Sequence, residues 1–243
     1  MLWLAALWVV GFGMFWQANP VRVMPTLTEV GGAILPLWRA GVGNAILVSM
    51  WTLLEAILIS SALSLGLSYL YVLAVFRFPL ISATKLRFLG FTGLITLFYL
   101  ATKDGHILKV AVLTFAITVF LLTDMLKVVR EIPQERYNLA RTLGMNRLRV
   151  VWEVVVRGTL STAIESIRAN AAIGWMMLTM VEGLSRSDGG VGVLLLNLNR
   201  SRMLENVFAV QLMILFMGVG QDYLIGIIKD VVCPYARLGK AKI

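Results

Sequence analysis

Long apolar runs separated by short polar ones set the pattern of this chain. Asn44 to Phe76 is one such run, about 50 Å if wholly helical against a hydrocarbon core of about 30 Å. It predicts a spanning helix that tilts, breaks near Gly66 or projects from the membrane. Phe88–Ala101, Ile107–Leu126, Leu148–Met180 and Val207–Val232 read as further core helices, with Pro234 ending the last. Leu2–Trp16 is apolar and aromatic but short, about 22 Å. It lacks the basic start and small-residue cleavage site of a signal peptide, which predicts a retained first helix reaching towards Ala18. Asn19–Gly43 carries Pro20, Pro25, Pro36 and several glycines. Such a stretch cannot be a regular spanning helix and is expected to run along the outer surface. The expectation is an all-α membrane domain of about six spanning segments.

The polar interruptions differ in kind. Lys103-Asp104-Gly105-His106 reads as a tight turn, and Glu182–Glu205 as an external turn holding a partial re-entrant segment, Val193–Leu198. Lys127–Arg149 is the polar loop with internal structure. Ile132-Pro133 ends one helix and starts another near Gln134. Tyr137, Ala140 and Leu143 then form an apolar stripe among Gln134, Glu135, Arg136, Asn138 and Arg141, and Gly144 supplies the backbone freedom of a helix end. A short amphipathic helix on the membrane face either docks in a groove of a soluble partner or lies on anionic headgroups; spacing alone leaves both open.

Candidate chemistry lies in the apolar runs. Glu55 is a carboxylate inside a span, so it is either functional or placed in the headgroup zone. Ser60, Ser64 and Ser68 form a small-residue packing seam. Arg157 can meet Glu153 one turn earlier, and Glu165 and Arg168 are spaced to neutralise each other on one helix face. Ser166, Asn170 and Gly174 make a polar-to-small strip, read either as a translocation pathway or as close packing. Glu55, Glu165, Arg168 and Asn170 are therefore the pathway candidates. Arg186, Arg200 and Arg202 are external cations that can favour anionic solutes or receive an acidic docking protein. His106, the sole histidine, reads as a turn residue rather than a metal ligand. The phosphate-loop, zinc-protease and nucleophile-elbow patterns are absent, so no catalytic residue and no metal site is assigned.

Asn138-Leu139-Ala140-Arg141-Thr142-Leu143-Gly144, followed by the apolar positions around Trp152 and through Val156, resembles the EAA loop of ABC-importer permeases. Ala140 matches its second alanine, Gly144 its glycine, and Val154 and Val156 its later Ile and Leu. Asn138 stands where the glutamate belongs, Leu139 where the first alanine does, and Arg157 where the proline does. Gly190-Val191-Gly192, and Gly218 with Asp222, further resemble the nitrate, sulfonate, taurine and bicarbonate branch. The resemblance covers roughly Asn44–Tyr235. It implies a type I importer fold in which Gln134 to Met145 is a coupling helix seated in a cleft of a cytoplasmic ATPase. Gln134, Glu135, Tyr137, Asn138, Ala140, Arg141, Leu143 and Gly144 are its implied contacts. It also implies a second permease copy, two ATPase subunits that bind the ATP and Mg, and an external solute-binding protein.

Composition agrees. Of 243 residues, 59% are hydrophobic and 14% charged, with a mean hydropathy of +0.84, more apolar surface than a soluble core of this size buries. The net charge of +9 sits in short loops, so it fixes orientation beside membrane lipids rather than marking a nucleic-acid partner. Lys and Arg concentrate in 77–87, 127–149 and 229–242, which places the Lys127–Arg149 loop in the cytoplasm by the positive-inside rule. A single cysteine, Cys233, excludes an intrachain disulfide. The resulting expectation is one permease domain, residues 1–243, in the inner membrane, passing a small anionic solute. Its rivals are a non-transporting scaffold or sensor on the same fold and a membrane-embedded enzyme.

Overall fold

The computed structural model describes residues 11, 13 and 14, and residues 25–72, 81–89, 91–102, 104–185 and 189–234. Most of the expected first helix, and Arg22, Arg77, Lys103, Arg186 and the basic tail, lie outside these. Among the described residues there is no strand. The helices are α1 (Leu27–Arg39), α2 (Val42–Val72), α3 (Phe91–Ala101), α4 (Gly105–Arg130), α5 (Gln134–Thr142), α6 (Arg147–Val150), α7 (Arg157–Ser185), α8 (Val191–Arg200) and α9 (Leu204–Val232). A 3-10 turn, Thr84–Phe88, precedes α3, and a π-helical segment, Val151–Val156, joins α6 to α7.

Three of these helices, α2, α4 and α9, are long and apolar enough to cross a membrane. The fourth long helix, α7, has 29 residues but carries Arg157, Glu165, Arg168 and Glu182. Of the alternatives open for the long second run, the break near Gly66 is ruled out, since α2 continues through that glycine for 31 residues. The stretch expected as a third core helix is shortened at its start, the 3-10 turn ending at Phe88 and α3 beginning only at Phe91. α3 keeps only 11 residues, about 16 Å and too short to span alone.

Before α2, a Thr26–Glu29 capping box starts α1, a helix of 13 residues. At about 20 Å it does not span. Val30 and Leu37 of α1 pack into a cluster with Val42 and Ile46 of α2 and Ala209, Val210 and Met213 of α9.

The main core joins α2, α4 and α7. Leu53, Ala56 and Ile57 meet Leu108, Val112, Leu113 and Ile117, with Ala171, Trp175, Leu178 and Val181 closing the third side. The serine seam is a packing seam: Ser60, Ser64 and Ser68 are fully buried, and Ser64 Oγ donates across to the Thr118 carbonyl at 3.1 Å. Gly174 permits the third side, since a Cβ there would sit 2.8 Å from Leu53 Cδ1.

α8 is held by a buried polar knot. Glu182, fully buried at the outer end of α7, accepts from Ser49 Oγ at 2.7 Å and from the Gly192 N–H at 2.8 Å. Ser49 Oγ in turn accepts from the Val191 N–H at 2.9 Å. Lys109 of α4 is buried and donates to the Gly189 carbonyl at 3.1 Å. It also attracts the Glu182 carboxylate. A carboxylate removed from water needs donors and a nearby cation, and this knot supplies both. The Gly-Val-Gly turn follows from it. Gly190 has φ +113°, and a Cβ there would lie 2.4 Å from Glu182 Oε1; one on Gly192 would lie 2.3 Å from the Thr179 carbonyl.

Gly192→Ala is therefore expected to lower the thermal midpoint of the detergent-solubilised chain, at a cost of roughly 1–3 kcal/mol. Gly66→Ala, in open helix surface, is expected to leave it unchanged or raise it slightly. Scanning fluorimetry of the two variants beside the native chain checks this pair.

Candidate functional site

The polar loop between α4 and α7 is built by local chemistry. α4 ends at Arg130, Pro133 with φ −60° precedes α5, and α5 closes in a Schellman arrangement. The Met145 N–H bonds the Ala140 carbonyl at 3.2 Å and the Gly144 N–H bonds that of Arg141 at 2.9 Å. Gly144 has φ +72°, the left-handed conformation that favours glycine. Asn146 then starts the single turn α6, which runs through the π segment into α7. The end of the loop and α7 are thus one continuous helical path from Arg147 onwards.

The apolar stripe expected on α5 divides. Ala140 is buried and Tyr137 half-buried, as the helix rests on α6 and the π segment. Burial pushes the Tyr137 phenol above its ordinary pKa of 10. Leu143 does not join them; it caps the helix and is 67% exposed, while Leu139 is 64% exposed. Gln134, Glu135, Asn138 and Arg141 are exposed around them. The result is a water-facing helix with two projecting leucines in a charged surround. Arg157 pairs with Glu153 at 3.1 Å, as expected from the i,i+4 spacing.

The second constellation lies between α7 and α9. Glu165 and Arg168 do not neutralise each other. Arg168 donates through Nε and Nη2 to both carboxylate oxygens of Asp222, and Lys229 donates to Glu165. The two helices run antiparallel, so the earlier α7 residue meets the later α9 residue. A facing helix can offer a carboxylate end-on to the guanidinium fork, which a neighbour three residues along the same helix cannot. Gly226 leaves room for it, since a Cβ there would sit 3.4 Å from Arg168 Nη1. A third rung, Trp175 Nε1 to Gln221 Oε1 at 2.7 Å, lies towards the outer end. Arg168, Trp175, Thr179, Gln211, Gln221 and Asp222 line a cavity of about 500 Å³, with Leu195 of α8 also on its wall.

The other two pathway candidates lie elsewhere. Asn170 is buried against α4, donating to Asp124 at 2.8 Å, so the Ser166–Asn170–Gly174 strip packs inward. Glu55 Oε2 accepts from His106 Nε2 at 2.9 Å. His106 is thus more than a turn residue: it opens α4, where the Asp104 side chain accepts from its N–H. The pair edges a separate groove of about 660 Å³ between α2 and α4. Sequence reasoning named Glu165, Arg168 and Asp222 without the pairing across to α9, and it named none of Lys229, Trp175 and Gln221. Asp222 carried a signal through its four-residue spacing from Gly218; Lys229 and Glu182 carried none beyond being charges at the ends of apolar helices.

Comparison with known proteins agrees with this architecture. Residues 67–232 match the model of the family described as binding-protein-dependent transport system inner membrane component. Over 85 residues the chain is 27% identical to the taurine transport system permease protein TauC of Escherichia coli strain K12. That match covers 35% of this chain and 31% of the relative, so the chain spans about a third of that protein's length in the match. With the family matched from the later part of α2 to the end of α9, the chain belongs to the binding-protein-dependent inner-membrane components, the multi-pass permeases of type I ABC importers.

Proposed function

We propose that this permease forms part of the path for a small anionic solute, resembling nitrate, a sulfonate, taurine or bicarbonate, and that cytoplasmic ATPase subunits drive it through α5. The observation that carries the reading is the helical continuity from α6 through the π segment to α7. A push on α5, which also rests on α6 and the π segment, crosses only the four-residue turn Leu143–Asn146 before it reaches the helix that bears Glu165 and Arg168. π segments are local departures from the α-helical winding that recur at functional sites, and one at this joint is suited to absorb a small rotation.

On this reading Leu139 and Leu143 enter an apolar cleft of the ATPase, while Gln134, Glu135, Asn138 and Arg141 meet its rim. The ATPase subunits hold the ATP and Mg, an external solute-binding protein delivers the solute, and a second permease copy completes the path. Glu55 and Asn170 act as packing and interface residues, and Arg168 with Asp222 faces the solute. The name of the taurine permease relative makes an aminosulfonate one candidate solute. The absence of an acid at Asn138 favours a second reading, a scaffold that binds its ATPase without solute-dependent turnover.

Two measurements test this. Gly144→Val forces a β-branched residue into a left-handed conformation. It is expected to remove most of the ATPase that co-purifies with the tagged chain from mildly solubilised membranes, as is Leu139→Asp with Leu143→Asp. Loss with neither would sink the coupling assignment. In proteoliposomes holding the whole transporter, Arg168→Gln is expected to cut uptake by about tenfold or more, with the ATPase still bound. Arg168→Asp with Asp222→Arg is expected to regain part of it, and solute-independent ATP turnover without any uptake by the native complex would favour the scaffold reading.

A further inference from the structure

The groove of about 660 Å³ between α2 and α4 is long, apolar and differently charged at its two ends. Glu55, Ile59, Leu63 and Leu67, at four-residue spacing, form its α2 wall, and one face of α4 from His106 to Leu122 forms the other. Glu55 meets His106 at one end, and Leu67 packs against Leu122 at the other. Between the ends its walls are apolar apart from Thr114 and Thr118. Ile59 and Leu63 stay half-exposed, so the described chain leaves the groove open.

At the Leu67–Leu122 end the groove is closed by Ala83 and Leu86, and Leu86 lies between Lys85 and Arg87 in the 3-10 turn. Just beyond, the Arg130 guanidinium sits over the Tyr71 ring at 5.3 Å from its centroid. Lys85, Arg87 and Arg130 are exposed, and none of the three forms an ion pair among the described residues. Leu86, Phe88 and Leu89 project beside them. Basic side chains set among projecting apolar ones mark a segment at the boundary of headgroups and acyl chains.

We propose that this groove holds one acyl chain of an anionic phospholipid, taken from the leaflet on the polar-loop side, with its phosphate on Lys85, Arg87 and Arg130. Charge complementarity fixes both the occupant and its direction. A phosphate at the Glu55 end would meet a carboxylate, whereas at the 3-10 turn it meets three cations without an anion of their own. A zwitterionic lipid brings a further cation to the same place and is the poorer match. Chain length agrees with this direction. One acyl layer is about 15 Å, half of a hydrocarbon core of about 30 Å, and the α4 wall from Leu122 to Thr114 rises about 12 Å. A chain laid in from Leu86 therefore ends near the middle of the groove, short of Glu55. The groove shares no lining residue with the α7–α9 cavity and none with α5, so its occupancy does not depend on the transport reading.

Native mass spectrometry of the full chain with its co-purifying subunits tests the site, using added palmitoyl-oleoyl phosphatidylglycerol or the matching phosphatidylcholine. Phosphatidylglycerol is expected to be retained in preference. Lys85→Gln with Arg87→Gln is expected to weaken that binding by roughly tenfold or more, and Leu63→Trp, which fills a half-exposed groove position, to weaken it as well. Arg147→Gln with Arg149→Gln removes equal charge outside the groove and is expected to leave binding unchanged. Glycerophosphoglycerol, the headgroup without its chains, is expected not to compete. Each variant is compared only where it elutes on gel filtration as the native chain does. Equal retention of the two lipids, an equal loss in the Arg147–Arg149 variant, no loss in either groove variant, or competition by the soluble headgroup would overturn the site. Other occupants are read from Leu63→Cys in a Cys233→Ser background in native membranes. An oxidant-induced dimer would put a second copy over the groove, and a disulfide to an added Trp8→Cys would put the segment Leu2–Trp16 there; either would overturn the lipid assignment.

Discussion

A charge in hydrocarbon must be answered by a partner, and that constraint organises the outer and middle parts of this molecule. α7 carries three charges past its first turn, Glu165, Arg168 and Glu182, and each is answered by a different set of groups. Lys229 and Asp222 of α9 take the first two. Ser49 of α2, the first amides of α8 and the nearby ammonium of Lys109 on α4 take the third. The most polar of the long helices is thus closely tied to its neighbours. Breaking any one of these pairs leaves an uncompensated charge, a larger penalty than losing an exposed surface pair.

The two ends of α7 differ in rigidity for the same reason. Its outer end is fixed by buried hydrogen bonds and by glycines that admit no side chain at Gly190 and Gly192. Its inner end passes through the π segment into a short turn and an exposed helix. Between them the α7–α9 ion pairs are half-exposed, so solvent weakens each and makes exchange of partners less costly than at Glu182. A stiff outer anchor, a wet middle and a jointed inner end suit a helix that transmits a push from its inner side.

Where sequence reasoning succeeded, the cause was local. Pro133 and Gly144 act on their own backbone, so the bounds of α5 and its Schellman end were legible without any tertiary contact. The family resemblance carried by Ala140 and Gly144 agrees with the family match over 67–232. Where it failed, the deciding partner was distant. Arg168 was assigned to Glu165, three residues away, but bonds Asp222, 54 residues on. Nothing near Lys109 in sequence reveals Gly189, 80 residues on, as its acceptor. The stripe on α5 was right for Ala140 and wrong for Leu143, since its inner face is set by α6 and the π segment.

The sequence by itself determined the membrane class, the helical content and the bounds of α5. Composition, run length and the backbone limits of Pro and Gly act without reference to the rest of the chain. Tertiary structure alone decided which charges pair, that Arg168 among the four pathway candidates lines the α7–α9 cavity, and why the Gly190–Gly192 turn admits no Cβ. Those outcomes depend on helix rotation and depth, and an apolar run facing lipid on one side and protein on the other carries little periodicity from which to read them.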